Sequence, residues 1–202
     1  MKLLFATSNP GKLVEVREIL GGLDFELISL ADLGLPAPEE PFATFQENAG
    51  AKAISCAARA SLWTLADDSG LCVDALQGGP GVRSARFADS DEARRRKLLE
   101  QLRAMPAGRR GAHFFCAVAL ASPDGQRIFR ADGRVDGQIA SAPRGSGGFG
   151  YDPLFLPDEA PGRTLAELES AEKNRLSHRG RALQRLRPLL YRLAREGDLP
   201  LR

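Results

Sequence analysis

Two adjacent carboxylates, Asp67 and Asp68, end the apolar run that starts at Trp63, and Ser69, Gly70 and a second apolar piece, Leu71–Ala75, follow at once. The local reading is strand, tight turn, strand, with the bend at Ser69-Gly70 projecting one acid into a cleft. Neighbouring side chains on a strand point to opposite faces, so the two acids cannot share one core face. A like-charge pair of this kind is relieved by a divalent cation, and hard carboxylate oxygens suit Mg²⁺. The plain alternative is an Asp-Asp-Ser-Gly turn whose side chains bond their own backbone.

Four other stretches carry residue types fit for phosphate or base contacts. Thr7-Ser8-Asn9-Pro10-Gly11-Lys12 lies between an apolar run, Lys2–Thr7, and a helically spaced one, Leu13–Leu20. Strand, Gly-containing loop and helix is the geometry that turns backbone N–H groups toward an anion, and Lys12 could reach it. The spacing is not that of a P-loop, since Leu13 follows the lysine and no Gly precedes at the right distance. Thr44 and Glu47 form a capping box for a helix over Phe45–Ala60, and Asn48 and Lys52 share one of its faces. On helix spacing alone, Lys52 reads as an exposed surface lysine.

Ala31–Phe42 is a Pro-rich loop in which Glu39 and Glu40 are either solvated charges or a second carboxylate for a metal. Arg144–Pro153 has four glycines in six residues, which lets backbone approach a ligand closely, and Phe149 and Tyr151 could stack on a planar base. Lys173, His178 and Arg179 could form a donor-rich corner. Of 28 basic residues only Lys2, Lys12, Lys52, Lys97 and Lys173 are lysines, which hints that some are kept as point-charge phosphate contacts.

The positioning elements read as alternating strands and helices. Phe25–Ser29 is a strand; Asp89 and Glu92 can cap a helix that runs to about Met105; His113–Ala121 and Arg127–Val135 form a hairpin across Pro123-Asp124-Gly125. Thr164 and Glu167 make a second capping box, opening a helix to about Lys173. Ser177–Gly180 breaks it, and Leu183–Leu193 is a basic amphipathic helix that Pro188 can kink. The 202 residues suit one domain, with 43% hydrophobic content and a net charge of +2 that creates no strong field for nucleic acid or membrane. No apolar run approaches the ~20 residues that span a bilayer. The apolar stretch near Met1 is too short for a signal peptide. Cys56, Cys72 and Cys116 sit in apolar segments without metal spacing, so buried thiols in a reducing cytoplasm are expected.

Five segments recur in one order: T-S-N-P-G-K at Thr7–Lys12, E-N-A-x-x-K-A at Glu47–Ala53, A-D-D-S-G-L at Ala66–Leu71, G-G-F-G-Y-D-P at Gly147–Pro153 and E-K-x-x-x-S-H-R-G at Glu172–Gly180. Together they closely resemble the inosine triphosphate pyrophosphatase family, whose members hydrolyse non-canonical purine nucleoside triphosphates such as dITP, ITP and XTP. The resemblance runs from Lys2 to about Leu190. It implies an α/β fold: a long twisted mixed β-sheet flanked by helices, a single domain over residues 1–202 with two lobes around a central cleft. It also implies a homodimer, with Pro80–Phe87 near the contact.

By the same resemblance Thr7, Ser8, Asn9, Pro10, Gly11 and Lys12 match the phosphate-binding loop. Glu39 matches a metal ligand, with Glu40 one step away in the alignment. Lys52 matches a triphosphate contact, Asp68 the general base and metal ligand, and Ser69 a substrate contact. Phe149, Gly150, Tyr151, Asp152, Lys173, His178 and Arg179 match the base and sugar pocket, and Arg179, which carries donors only, is the expected reader of a 6-oxo group.

Cleavage of the α–β anhydride needs charge neutralisation, an oriented water and a base. The residue types supply these through Mg²⁺ on Glu39 and Asp68, the two lysines, and a carboxylate. Whether Asp67 shares the base role stays open at this point. The alternatives are a Maf-type pyrophosphatase acting on modified nucleotides and a non-catalytic nucleotide- or RNA-binding module using the Arg-rich C-terminal helix.

Overall fold

The computed structural model describes residues 1–199. Seven strands form one mixed sheet among them: β1 (Lys2–Phe5), β2 (Glu26–Ser29), β3 (Thr64–Val73), β4 (Gly79–Pro80), β5 (Gly111–Ala121), β6 (Ile128–Ile139) and β7 (Phe155–Pro157). Their order is β2-β1-β3-β5-β6-β7, with β4 on β3. β1 is parallel to both β2 and β3, Leu4 lying opposite Ile28 and Thr64, while β3–β4 and β6–β7 are antiparallel. The helices are α1 (Pro10–Ile19), α2 (Phe45–Ala60), α3 (Asp91–Gln101), α4 (Ser170–Leu176) and α5 (His178–Glu196). The mixed sheet with flanking helices is the architecture the resemblance implies. None of the described helices is long and apolar enough to cross a membrane.

The chain divides into two compact units, and the divisions fall inside β3, β5 and β6 and after the first residue of α5. Unit 1 is Met1–Asp68, Cys116–Gly133 and the segment from Arg179 on. Its core packs Leu3, Phe5 and Leu65 with Val118 and Leu120, under an α5 stripe of Leu183, Leu186, Leu190 and Leu193. The four leucines recur at the three- and four-residue spacing that keeps one helix face inward. Unit 2 is Ser69–Phe115 and Arg134–His178. Its core joins Leu71, Val73, Leu98, Leu102, Phe114, Val135, Leu154 and Phe155.

Several local expectations change. Trp63–Ala75 is not a hairpin: β3 is one unbroken strand, and Asp67, Asp68, Ser69 and Gly70 lie in its middle. Its near-continuous burial, with only Ser69 half-exposed, explains why a turn does not form there. α1 begins at Pro10, so Pro10, Gly11 and Lys12 are its first turn rather than a loop; proline's fixed φ suits that position. Ser90, not Asp89, caps α3 by accepting from Ala93 N–H. The Thr164–Glu167 box forms but opens only a 3₁₀ turn, Leu165–Glu167, because Leu168 and Glu169 return to extended backbone before α4. Between α4 and α5 only Ser177 leaves helical geometry, and Pro188 lies inside the 19-residue α5.

Candidate active site

β3 carries its two acids to opposite sides, and each finds a different surrounding. Both are buried, Asp67 at 1% and Asp68 at 4% exposure. Asp67 accepts from Lys12 Nζ at 3.1 Å and from Arg179 Nε and Nη2 at 3.1 Å, and Cys116 Sγ lies 3.9 Å away. Arg179 in turn donates through Nη1 to Glu15. Asp68 accepts from Asn48 Nδ2 at 2.9 Å. The same amide holds the main chain of Phe42 on both sides, accepting from its N–H at 3.0 Å and donating to its carbonyl at 3.2 Å. That clip fixes the end of the Pro-rich loop. Two residues earlier in the loop, Glu40 accepts from Lys52 Nζ.

The electrostatics separate the two acids. Burial alone would raise Asp67, but Lys12, Arg179 and Lys52 outweigh it and hold its carboxyl well below the usual carboxylate range. Asp68 goes the other way: burial raises it, Lys52 opposes, and the nearby Glu40 charge adds to the rise. Lys52 is pulled down by burial yet ends above its ordinary value because Asp67, Glu40 and Asp68 all favour its charged form. Cys116 is pushed far up, by burial first and then by Asp67, and stays a neutral thiol. Three cations therefore meet four acids in unit 1, and Asp68 is the acid whose proton affinity has risen.

The first loop is more self-contained than the phosphate reading expects. Asn9 caps α1, its Oδ1 accepting from Gly11 N–H at 2.9 Å and Lys12 N–H at 3.2 Å, and Thr7 Oγ1 accepts from Asn9 N–H at 3.1 Å. The helix-end donors expected for an anion are thus engaged by the chain's own oxygens. The Lys12 ammonium, by contrast, points away from the loop to Asp67. Glu39 is exposed, whereas Glu40 is half-buried against Lys52. Lys52 is 5% exposed, not a surface lysine.

In unit 2 the Gly-rich segment folds around Asp152. Its Oδ2 accepts from Phe149 N–H at 2.9 Å and from Lys173 Nζ at 2.6 Å, and Lys173 Nζ lies 5.1 Å from the centroid of the Phe149 ring. Gly148 has φ +69°, and a Cβ there would fall 2.2 Å from Asp152 Oδ2. Only glycine fits that turn. Gly150 donates its N–H to Asp91 Oδ2 at 2.7 Å and accepts from Arg95 Nη1 at 2.7 Å. Tyr151 belongs to the core: it is 4% exposed and donates its hydroxyl to Ser84 O at 3.0 Å, so it offers no stacking face. His178 stacks on Phe114 with centroids 4.6 Å apart and planes 7° from parallel. Ser69 is half-buried on β3.

The resemblance makes Arg179 a reader of the base; its guanidinium is 1% exposed and bonded to Asp67 and Glu15 within unit 1. Glu15, Asp91 and Arg95 escaped the sequence reading. Glu15 carried one usable signal, an acid on the inward face of α1 beside Val16 and Ile19.

A family model described as the Ham1 family matches residues 3–189. The chain belongs to the Ham1 family. Similar proteins include the dITP/XTP pyrophosphatase of Anaeromyxobacter sp. (strain Fw109-5), 46% identical over 229 residues, which cover 98% of this chain and 100% of that one. The dITP/XTP pyrophosphatase of Geobacter sulfurreducens is 51% identical over 190 residues, covering 92% of this chain and 94% of that one. Among solved structures, a HAM1 protein from Coxiella burnetii superposes with a TM-score of 0.83 at 41% identity, covering 94% of this chain and 98% of that one. The family resemblance read from five short motifs is borne out over nearly the whole chain.

Proposed function

We propose that the chain hydrolyses the α–β phosphoanhydride of dITP, ITP and XTP, releasing the nucleoside monophosphate and pyrophosphate, in a Mg²⁺-dependent reaction. The observation that carries the reading is the unequal acid pair on β3. Asp67 is held ionised by Lys12 and Arg179 and has little affinity for a proton, whereas Asp68 has a raised affinity. A base works best when its proton affinity is lifted toward the operating pH, so Asp68 takes the proton of the attacking water and Asp67 orders the cations around it. Lys12 and Lys52 stabilise charge on the leaving pyrophosphate, with Ser8 donating to a phosphate oxygen. Phe149 supplies a stacking face, and Asp152 with Lys173 shapes the turn that presents it. Curated relatives named for dITP and XTP support the substrate class.

No group of three acids, histidines or cysteines fit to cage a metal occurs among the described residues. Mg²⁺ suits such a place, since it is usually held by one or two carboxylates together with substrate phosphates and waters. Asp68 and Glu40, whose negative charge adds to the rise at Asp68, are the pair that fits it, rather than the exposed Glu39. When bound it would neutralise phosphate charge and acidify the attacking water.

The reading is tested by pyrophosphate release from ITP, XTP, GTP and ATP with and without Mg²⁺. Release from ITP and XTP well above ATP, and only with the metal, is expected; equal release from all four, or release without metal, removes it. The resemblance also supports a homodimer, which light scattering tests at twice the 21.8 kDa chain mass. Three buried cysteines, all free, support a reducing compartment.

A further inference from the structure

We infer that Asp91 and Arg95 are positioning residues for base selection, acting through Gly150. The inference rests on the proposed role of the Phe149–Asp152 turn in holding the purine. That turn is closed on its inner side by its own groups: Asp152 N–H donates to Phe149 O at 3.1 Å, and Phe149 N–H to Asp152 Oδ2 at 2.9 Å. The two peptide groups at Gly150 point the other way, and α3 takes both. Asp91 accepts the N–H and Arg95 donates to the carbonyl, each at 2.7 Å. The two side chains are four residues apart and share one helix face.

Each is itself braced. Asp91 Oδ1 accepts from Arg94 Nη1 at 2.5 Å, which leaves Oδ2 for Gly150, and Arg94 Nε donates to Ala88 O at 3.0 Å. Gly150 has φ +59° and open space where a Cβ would stand, and the two bonds from Asp91 and Arg95 tie its main chain to α3. Two fixed peptide planes set the plane of the neighbouring Phe149 and the direction of its carbonyl. Neither α3 residue belongs to the acid network of unit 1, so their loss leaves the hydrolytic groups in place. The turn pivots instead, and the base is held less well and chosen less strictly.

The test compares Arg95→Met, Asp91→Ala and the double variant with the parent protein, reading kcat and KM for ITP and for ATP, inhibition by inorganic tripolyphosphate, and Tm. Each single variant should raise KM for ITP about three- to tenfold, the usual reach of one hydrogen bond. kcat should stay within about twofold, the ITP-to-ATP ratio of kcat/KM should shrink, and tripolyphosphate inhibition should not change. The double variant should fall short of the product of the singles, because both act on one residue. Arg95→Lys, which keeps a donor, should recover part of the loss. Unchanged KM and selectivity with a lowered Tm would make the pair a folding brace only and overturn the inference, as would a fall in kcat at constant KM. If Asp91→Ala or Arg95→Met does not fold, Asp91→Asn and Arg95→Lys decide the same question by the same split. Absence of pyrophosphate release in the parent protein would instead remove the proposed function.

Discussion

Unit 1 meets Asp67 and Asp68 with side chains from α1, α2, β5 and α5, whereas in unit 2 Asp152 accepts from Lys173 and from the main chain of its own loop. Both arrangements bury a carboxylate beside an ammonium. In the first, the partners differ between two neighbouring acids, and that difference sets which one gives up its proton. In the second, the partners hold a backbone shape. The contrast teaches that charge is the variable in unit 1 and conformation the variable in unit 2, and substitutions should divide accordingly.

The largest effect should come from Asp68→Asn, which keeps the shape and the Asn48 contact but removes the proton acceptor. kcat for ITP should fall about 10²- to 10⁴-fold with little change in Tm. A folded Asp68→Asn protein with near-normal kcat would erase the distinction between the two acids. Asp67→Asn should show the reverse emphasis. It leaves Arg179 with less compensation in a buried site, so urea unfolding should report a loss of about 3 kcal/mol, the low end for a broken buried pair because Glu15 remains. If Asp67→Asn is as stable as the parent, the Lys12–Asp67–Arg179 set does not organise unit 1.

Gly148→Ala probes the conformational side. The added methyl cannot fit beside Asp152 at positive φ, so KM for ITP should rise about tenfold while kcat changes little. A matched fall in kcat would show that the loop's shape reaches the chemical step. The smallest effects are pH shifts. Asp68 must be ionised to act, so kcat/KM should fall as pH drops through a pKa above the ordinary carboxylate value. Glu40→Gln removes a negative neighbour and should move that limb to lower pH; Lys52→Met removes a positive one and should move it higher. Limbs that move together, or not at all, would take the base role from Asp68.

Much of the frame was legible because it rests on local patterns. The Thr44 capping box marks the start of α2 without error, and the apolar runs of β1, β2 and β5 are visible as runs. β3 was misread because Asp-Asp-Ser-Gly has turn composition, and only tertiary partners from four other elements make those residues tolerable inside a strand. Lys52 looked like a surface residue for the same reason: its burial depends on Glu40, 12 residues earlier in a loop, which helix spacing cannot report. Arg179 stands out through its motif but not in its company, since Glu15 lies 164 residues away. Tyr151 carried the right residue type for stacking, and its commitment to Ser84 O is a contact no local pattern predicts.

The clip that Asn48 places on both main-chain atoms of Phe42 has a consequence for chemical ageing. Asn48 is fully buried, with its amide nitrogen shared between Phe42 O and Asp68 and its oxygen taken by Phe42 N–H. Hydrolysis of that amide to a carboxylate would swap a donor for an acceptor against two oxygens at once, and set a third acid beside Asp68 and Glu40. An old or heat-stressed sample deamidated at this one position should therefore lose its grip on the Pro-rich loop while keeping every residue usually counted as chemical.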